Sequence, residues 1–530
     1  MNIVVNIERR ALARILHTFF VLPLARKSLK SGIYWSYDTS RTPNRRLSTL
    51  THSTRKKIAL KRLRRQAVVA QFDGGTLTSD GGVLLLREAD RKLRLIERID
   101  QVIPDPRDPR YSVHPQAEML TSRIFGIAAG YEDGNDHQQL RHDPAFQVAA
   151  GRSPAEMNYG ENNSPLASPS TLSRLENRVD VKTCFKLHEV LVDTFLDSFE
   201  VPPEEIILDY DATDDPTHGD QDKKYFNGFY DGYCFLPLYV FCGDQLLVSY
   251  LRPSSVGAAH HARSVTKLLV QKIRSRWPNV KIILRGDSGF AIERLMRWCD
   301  KNDVNYVFGF AKNDVLIREI AAEMTHVRIR QAFLSTKQRC FKWFRYRAQK
   351  WDRFRWMVGK AEHGEKGSNP RFVVTNLFGH EGLVDPVEGR PRINGKQVRM
   401  TIEPGTQCSV AVNPETFYER MYCQRGDMEN RIKEQQLYLF ADRTSCTDFI
   451  ANQFRLLLSS FAYVLVDGIR RIGLQGTKAA TWQANTIRNR LFKIAARVVV
   501  TCRRVVFHLA SSCPYAEIFN RACTQLSPSG

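Results

Sequence analysis

The chain has 530 residues, 43% of them hydrophobic and 25% charged. This composition supports a large core in two to four domains and excludes a low-complexity or disulfide-stapled chain; the eleven cysteines include no C-x-x-C pair, so no zinc ribbon is expected. The formal net charge of +22 points to a polyanionic partner, because neutralising phosphates releases counterions.

Most of that charge lies at the start. Residues 1–66 hold 16 Lys and Arg against Glu8 and Asp38, so +14 of the +22 sits in a basic arm that reads as a backbone-contacting element for DNA. Two partly apolar stretches, 11–24 and 498–506, are short and broken by Arg14 and His17 and by Arg503 and Arg504. No transmembrane helix is expected. Residues 67–200 read as a mainly helical DNA-binding region: Ser79 and Asp80 can cap a helix running through Leu84, Leu85 and Leu86, and LSRLENRV and LHEVLVDTFLDSF keep helical spacing.

The texture changes at Pro202 and Pro203. EEIILDYDATDD predicts a strand ending in acid, and GYCFLPLYVFCG and QLLVSYLRP predict two strands joined at Gly243 and Asp244. AAHHARSVTKLLVQKIRSRW predicts a helix, VKIILRGDSGF a second strand ending in acid, IERLMRWCDKN a helix and NYVFGFAK a strand. Three strands followed by a crossover describe an α/β fold, a mixed sheet with flanking helices. Residues 318–410 break this order with strand-like alternation. Within them, 328–360 carry 11 Lys and Arg against one acid, Asp352, with eight aromatics interleaved. That pattern fits a DNA-contacting platform or a twisted sheet with solvated arginines over an aromatic core. Residues 414–438, 446–475 and 483–510 read as helical, the last with a basic face.

The candidate chemistry lies where apolar strands end in acid. Side chains two apart on a strand share a face, so Asp209 and Asp211 point the same way, and Asp287 closes the strand KIILRGD. A carboxylate at a buried edge needs a partner or a cation, and hard divalent cations prefer oxygen ligands. In YERMYCQRGDMENRIKEQQ, Tyr422, Arg425, Glu429 and Lys433 fall at helical offsets of 0, 3, 7 and 11 and can share one stripe. A helix laid on the sheet would deliver Glu429 to the aspartates. The same residues also fit plainer roles: turn caps for Asp211, Asp215 and Asp287, and a surface pair for Arg425 and Glu429.

LDYDATDD, LRGDSGF and YCQRGDMENRIKE together resemble the DDE transposases of bacterial insertion sequences, in the group with a Tyr-x2-Arg-x3-Glu-x6-Lys signature; the resemblance runs from Phe72 to Tyr515. It implies a ribonuclease-H-like mixed sheet with flanking helices, a β-rich insertion domain, and helical N- and C-terminal regions. The divisions it implies are 201–317 for the first part of the catalytic core, 318–410 for the insertion, 411–475 for the second part of the core and 476–530 for a basic C-terminal helical region. It further implies Asp211, Asp287 and Glu429 as catalytic, metal-holding residues for two Mg²⁺ ions, with Mn²⁺ as substitute. Tyr422, Arg425 and Lys433 would contact or position DNA phosphates, and Asp209 and Thr213 would support Asp211. The signature lysine falls at residue 436, which is Gln436 here, so Lys433 is the substitute one turn earlier. The implied partners are double-stranded DNA, as terminal inverted repeats and target, and a second copy in a paired-end homodimer. The implied setting is the bacterial cytoplasm, at the nucleoid. A non-catalytic DNA-binding derivative and a nuclease without strand transfer are the alternatives.

Overall fold

The computed structural model describes residues 57–154, 165–377 and 411–527, with backbone strand pairs at 392–393, 396–397 and 400–401. Residues 1–73 and 74–530 form two compact units. In the first, Ile58–Leu63 and Gln66–Ala70 make an antiparallel hairpin; residues 1–56 of the basic arm lie outside the described residues.

The second unit is a mixed α/β architecture around one nine-stranded sheet. Its strands are β1 (Glu205–Ala212), β2 (Leu238–Cys242) and β3 (Gln245–Tyr250). After helix α1 (Ala262–Arg276) come β4 (Lys281–Gly286), α2 (Glu293–Lys301) and β5 (Asn305–Phe310). The chain continues through α3 (Ala321–Leu334), β6 (Gln338–Tyr346), β7 (Arg355–Gly364) and β8 (Arg371–Thr375). The order across the sheet is β6-β7-β8-β5-β4-β1-β2-β3, with Gly367–Ser368 added on β7. β4 runs parallel to both β1 and β5, while β1–β2–β3 is an antiparallel meander. This is consistent in general terms with a ribonuclease-H-like transposase fold.

Alternation along the central strands sorts their side chains between two layers. Leu208, Tyr210, Ile282, Leu284, Tyr306 and Phe308 face a core built with α1, α2 and α3. Ile207, Ile283 and Val307 face the other way, under Phe417, Tyr418 and Met421. These last residues open a helical run that continues as a wide turn at Tyr418–Tyr422, a tight turn at Cys423–Arg425 and helix α4 (Gly426–Leu439). The next helix, α5 (Phe449–Gly468), is long and apolar enough to cross a membrane by length and composition. Here its apolar surface is covered by protein: it shares one core with the helices Leu84–Leu93, Leu95–Val102, Gln116–Ala129 and Val181–Leu196 and with Tyr239 and Phe241 of β2.

Three local readings need correction. Residues 321–334, inside the stretch read as strand-like, form a helix. The strands that follow do not make a sheet of their own: β8 pairs antiparallel with β5, so they extend the central sheet. Residues 496–509, read as helix, form a hairpin, Ala496–Val500 with Val505–Leu509, paired further to Leu77–Thr78. The β-branched run of valines favours extended backbone, and the alternation of buried Ala496 and Val498 with exposed Arg497 follows the two-residue strand period. The aromatics of 328–360 are largely packed: Trp351 is buried, Trp343 lies tilted against Phe417, and Phe341 lies against Tyr418. The aromatics there form a core that carries the arginines.

Candidate active site

β1 and β4 place the first two acids. The strands are paired in parallel register, Leu208 with Leu284, Asp209 with Arg285 and Tyr210 with Gly286. The residues that follow this last pair are Asp211 and Asp287, so both carboxylates emerge side by side at the ends of adjacent strands, whose backbones in a sheet lie about 4.8 Å apart. The Asp287 carboxylate also accepts from the Gly289 amide at 2.8 Å and caps the turn Ser288–Phe290, so the plainer role of a turn cap is filled as well.

The helical run over this face brings the rest. Arg425 donates to Glu429 at 2.7 Å and stands 3.9 Å from the Asp211 carboxylate, placing one guanidinium between two of the acids. Tyr422 reaches the sheet beside Asp287: a Cβ at Gly309 of β5 would collide with its hydroxyl, and only glycine lets the ring seat there. Burial pushes the Tyr422 hydroxyl up; nearby Arg425 opposes this, and Asp287 adds to it. Burial would lower the Arg425 guanidinium, but Asp211, Tyr422, Glu429 and Asp287 together raise it, so it stays a cation.

Asp211 is strongly perturbed. Burial pushes its carboxyl up, Arg425 pulls it down, and Asp287 and Glu429 push it up again, to about 7. The ordinary value is 3.8, so the folded state holds this proton more tightly than the unfolded chain. Stability from this group is complete below about pH 4 and is lost as the pH rises through 7. Asp211→Asn removes the buried charge and should stabilise the metal-free protein at pH 8 by on the order of 2–4 kcal/mol. The gain should shrink as the pH falls to 5. Melting curves of both proteins at the two pH values check this, and a gain independent of pH would contradict it.

The remaining sequence-predicted residues are placed as follows. Asp209 is buried in a two-pronged ion pair with Arg285, at 2.5 and 2.7 Å, and Arg285 also donates to the Met421 carbonyl at 2.7 Å. Asp209 thus ties the two strands to the helical run. Thr213 lies half-buried just beyond β1, and no described hydrogen bond joins it to the acids. Lys433 is exposed, four residues beyond Glu429 on α4. At the signature lysine position, Gln436 donates to the Asp214 carbonyl at 3.0 Å, fastening α4 to the loop after β1. Glu434 is buried in contact with Arg470 and accepts from the Ala484 amide at 2.5 Å, which commits it to the helical core.

Arg285, Gly309 and Tyr230, whose hydroxyl donates to the Ala212 carbonyl at 3.4 Å, are the site's neighbours that sequence reading passed over. Arg285 carried a signal: it precedes Asp287 by two, as Asp209 precedes Asp211.

A family model described as transposase DDE domain, group 1, matches residues 60–530. The chain belongs to the DDE transposase family. No curated protein matches this transposase. Among solved structures, the cryo-EM synaptic complex of piggyBac transposase with hairpin DNA aligns with 78% of this chain and 80% of its own, at 9% identity and a TM-score of 0.37.

Divalent metals are general to the family. Among the described residues, no three His, Cys, Asp or Glu side chains are grouped tightly enough to hold an ion as they stand. The chemistry of the donors nevertheless fits one. Asp211 is a partly buried carboxylate whose nearest cation is a guanidinium 3.9 Å away. Asp287 adds oxygen donors alongside, and the Glu429 side chain is 42% exposed, free to change rotamer once Arg425 releases it.

Proposed function

We propose that this transposase binds the ends of an insertion sequence, cuts DNA by phosphodiester hydrolysis and joins the freed 3′-hydroxyl to target DNA. One arrangement carries the proposal: two aspartates side by side at adjacent parallel strand ends, with Glu429 and Arg425 laid over them by one helical run.

Asp211, Asp287 and Glu429 would hold two Mg²⁺ ions, or Mn²⁺, which when bound supply activation of the attacking oxygen and stabilisation of the leaving one. Arg425, whose rigid fork suits phosphate, turns from Glu429 to a non-bridging phosphate oxygen as the DNA arrives. Tyr422 orients that phosphate beside Asp287. Gly289 adjoins a recess lined by His260, Arg263 and Arg294, a cationic path for the flanking backbone. Lys433 is left as a more distant backbone contact. The partners are terminal inverted repeats and target DNA, held by a homodimer in a paired-end complex, in the cytoplasm.

A labelled element end, supplied uncut and pre-cut with Mg²⁺, tests the proposal. The wild type should cut the first and join the second, and Asp287→Asn should bind both without cutting. Cutting without joining identifies a nuclease, and binding alone identifies a non-catalytic derivative. Normal cutting by Asp287→Asn removes the assignment of the acids.

A further inference from the structure

Arg252 lies just after β3 and is fully buried, yet no carboxylate pairs with it among the described residues. Burial pulls its guanidinium down to about 10, and Tyr250 and Tyr230 oppose this, so it stays a cation at neutral pH. Burying a cation without an acid is costly, and its Nη2 has no partner among the described residues. An apolar side chain of similar length would avoid both penalties. What the guanidinium does there, and an apolar group could not, is hold backbone.

Its Nε donates to the Leu236 carbonyl at 2.9 Å, and its Nη1 donates to the carbonyls of Ala258 and His260 at 2.8 and 2.7 Å. Leu236 is itself fixed, its amide donating to the Arg252 carbonyl at 2.7 Å. One rigid fork thus ties the loop 257–261 to the chain just before β2. The loop needs holding. His261 has a φ of 62°, left-handed for a residue other than glycine, and it begins α1 without a side-chain cap.

The same loop presses on the turn that carries the second acid. A Cβ on Gly289 would lie 2.9 Å from the Ala258 methyl, and the Gly289 amide is the donor to Asp287 at 2.8 Å. Arg252 therefore reaches Asp287 in three contacts: guanidinium to the Ala258 carbonyl, Ala258 methyl to Gly289, and Gly289 amide to carboxylate.

We infer that Arg252 is a positioning residue, which fixes the 257–261 loop against Gly289 and so keeps the Asp287 carboxylate aimed beside Asp211. This rests on the transposase reading above and extends the site to a residue that touches none of the three acids.

Two variants disturb the relay from its two ends. Arg252→Lys keeps the charge but lacks the planar fork that spans the three carbonyls. Gly289→Ala drives a methyl into Ala258 and leaves the arginine in place. Each should speed amide hydrogen exchange across 257–262 and at Gly289, with wild-type rates in α5. Each should also weaken Mn²⁺ binding roughly tenfold, read without DNA from the electron-spin-resonance signal of the free ion. Excess Mg²⁺ should then restore much of the cutting on a labelled end. The double variant should be no worse than the worse single one, because both act through one contact. Arg252→Gln, neutral and able to hold one carbonyl, takes the place of Arg252→Lys should the lysine variant not fold. Wild-type exchange in the variants, or faster exchange with unchanged Mn²⁺ binding, overturns the inference, and so do losses that multiply in the double variant. Coupled exchange and Mn²⁺ binding in a protein that never cuts DNA would uphold the role of Arg252 and refute the transposase activity. Cutting by a wild type whose exchange and Mn²⁺ binding both variants share would do the reverse.

Discussion

Glu429→Gln should lower both cutting and joining by on the order of 10³-fold or more, because it keeps the size of the side chain and removes the charge required for metal. Arg425→Ala should behave differently. It frees Glu429 from its 2.7 Å ion pair and leaves all three acids in place. Some metal-dependent cutting should therefore survive, while joining, which needs two DNA segments correctly placed, falls about 10–100-fold. A time course of cut and joined products on one labelled end separates the two variants, after folding has been confirmed for each. Glu429→Gln cutting at the wild-type rate would remove it as the third acid. Glu434 would not inherit the role, since it is buried against Arg470 in the helical core.

Arg285→Met should be the most damaging substitution away from the acids. It strands the Asp209 carboxylate in the sheet and removes the donor to the Met421 carbonyl. Breaking a buried pair from one side costs about 3–5 kcal/mol, whereas replacing both partners by apolar groups is often close to neutral. Asp209→Leu combined with Arg285→Met should therefore recover most of the stability lost by the single variant. It should not recover activity, because the link from β4 to the turn before Tyr422 stays broken. Urea midpoints and the labelled-end assay measure the two effects separately. A stable Arg285→Met protein, or a double variant of wild-type activity, would show that the pair does not position the helical run.

The acids were legible because an apolar strand that ends in a carboxylate is a local pattern, and LDYD and LRGD each show it within four residues. The stripe of Tyr422, Arg425 and Glu429 was legible for the same reason. Lys433 follows Glu429 by four residues within the regular helix α4 and faces solvent. The bond between Arg285 and Asp209 joins residues 76 apart and depends on strand register, which no local period encodes. The 496–509 segment misled because valines broken by arginines satisfy a helical stripe nearly as well as a strand's alternation. The exposed rings near Phe229 fall in residues 216–231, between the strands read at 204–215 and 232–243, where no period marks an element.

The pairing of β8 with β5 also constrains how this molecule can vary in length. In a free-standing core of β1 to β5, the outer side of β5 would be a bare margin of backbone donors and acceptors, open to any passing strand. Here that margin is closed by β8, with β7 and β6 beyond it, so the segment after Phe310 acts as a permanent selvedge to the central sheet. Shortening the chain between Phe310 and Thr375 would unravel that selvedge beside the acids and leave a self-adhesive edge, so a compact catalytic fragment of this transposase must retain β6, β7 and β8.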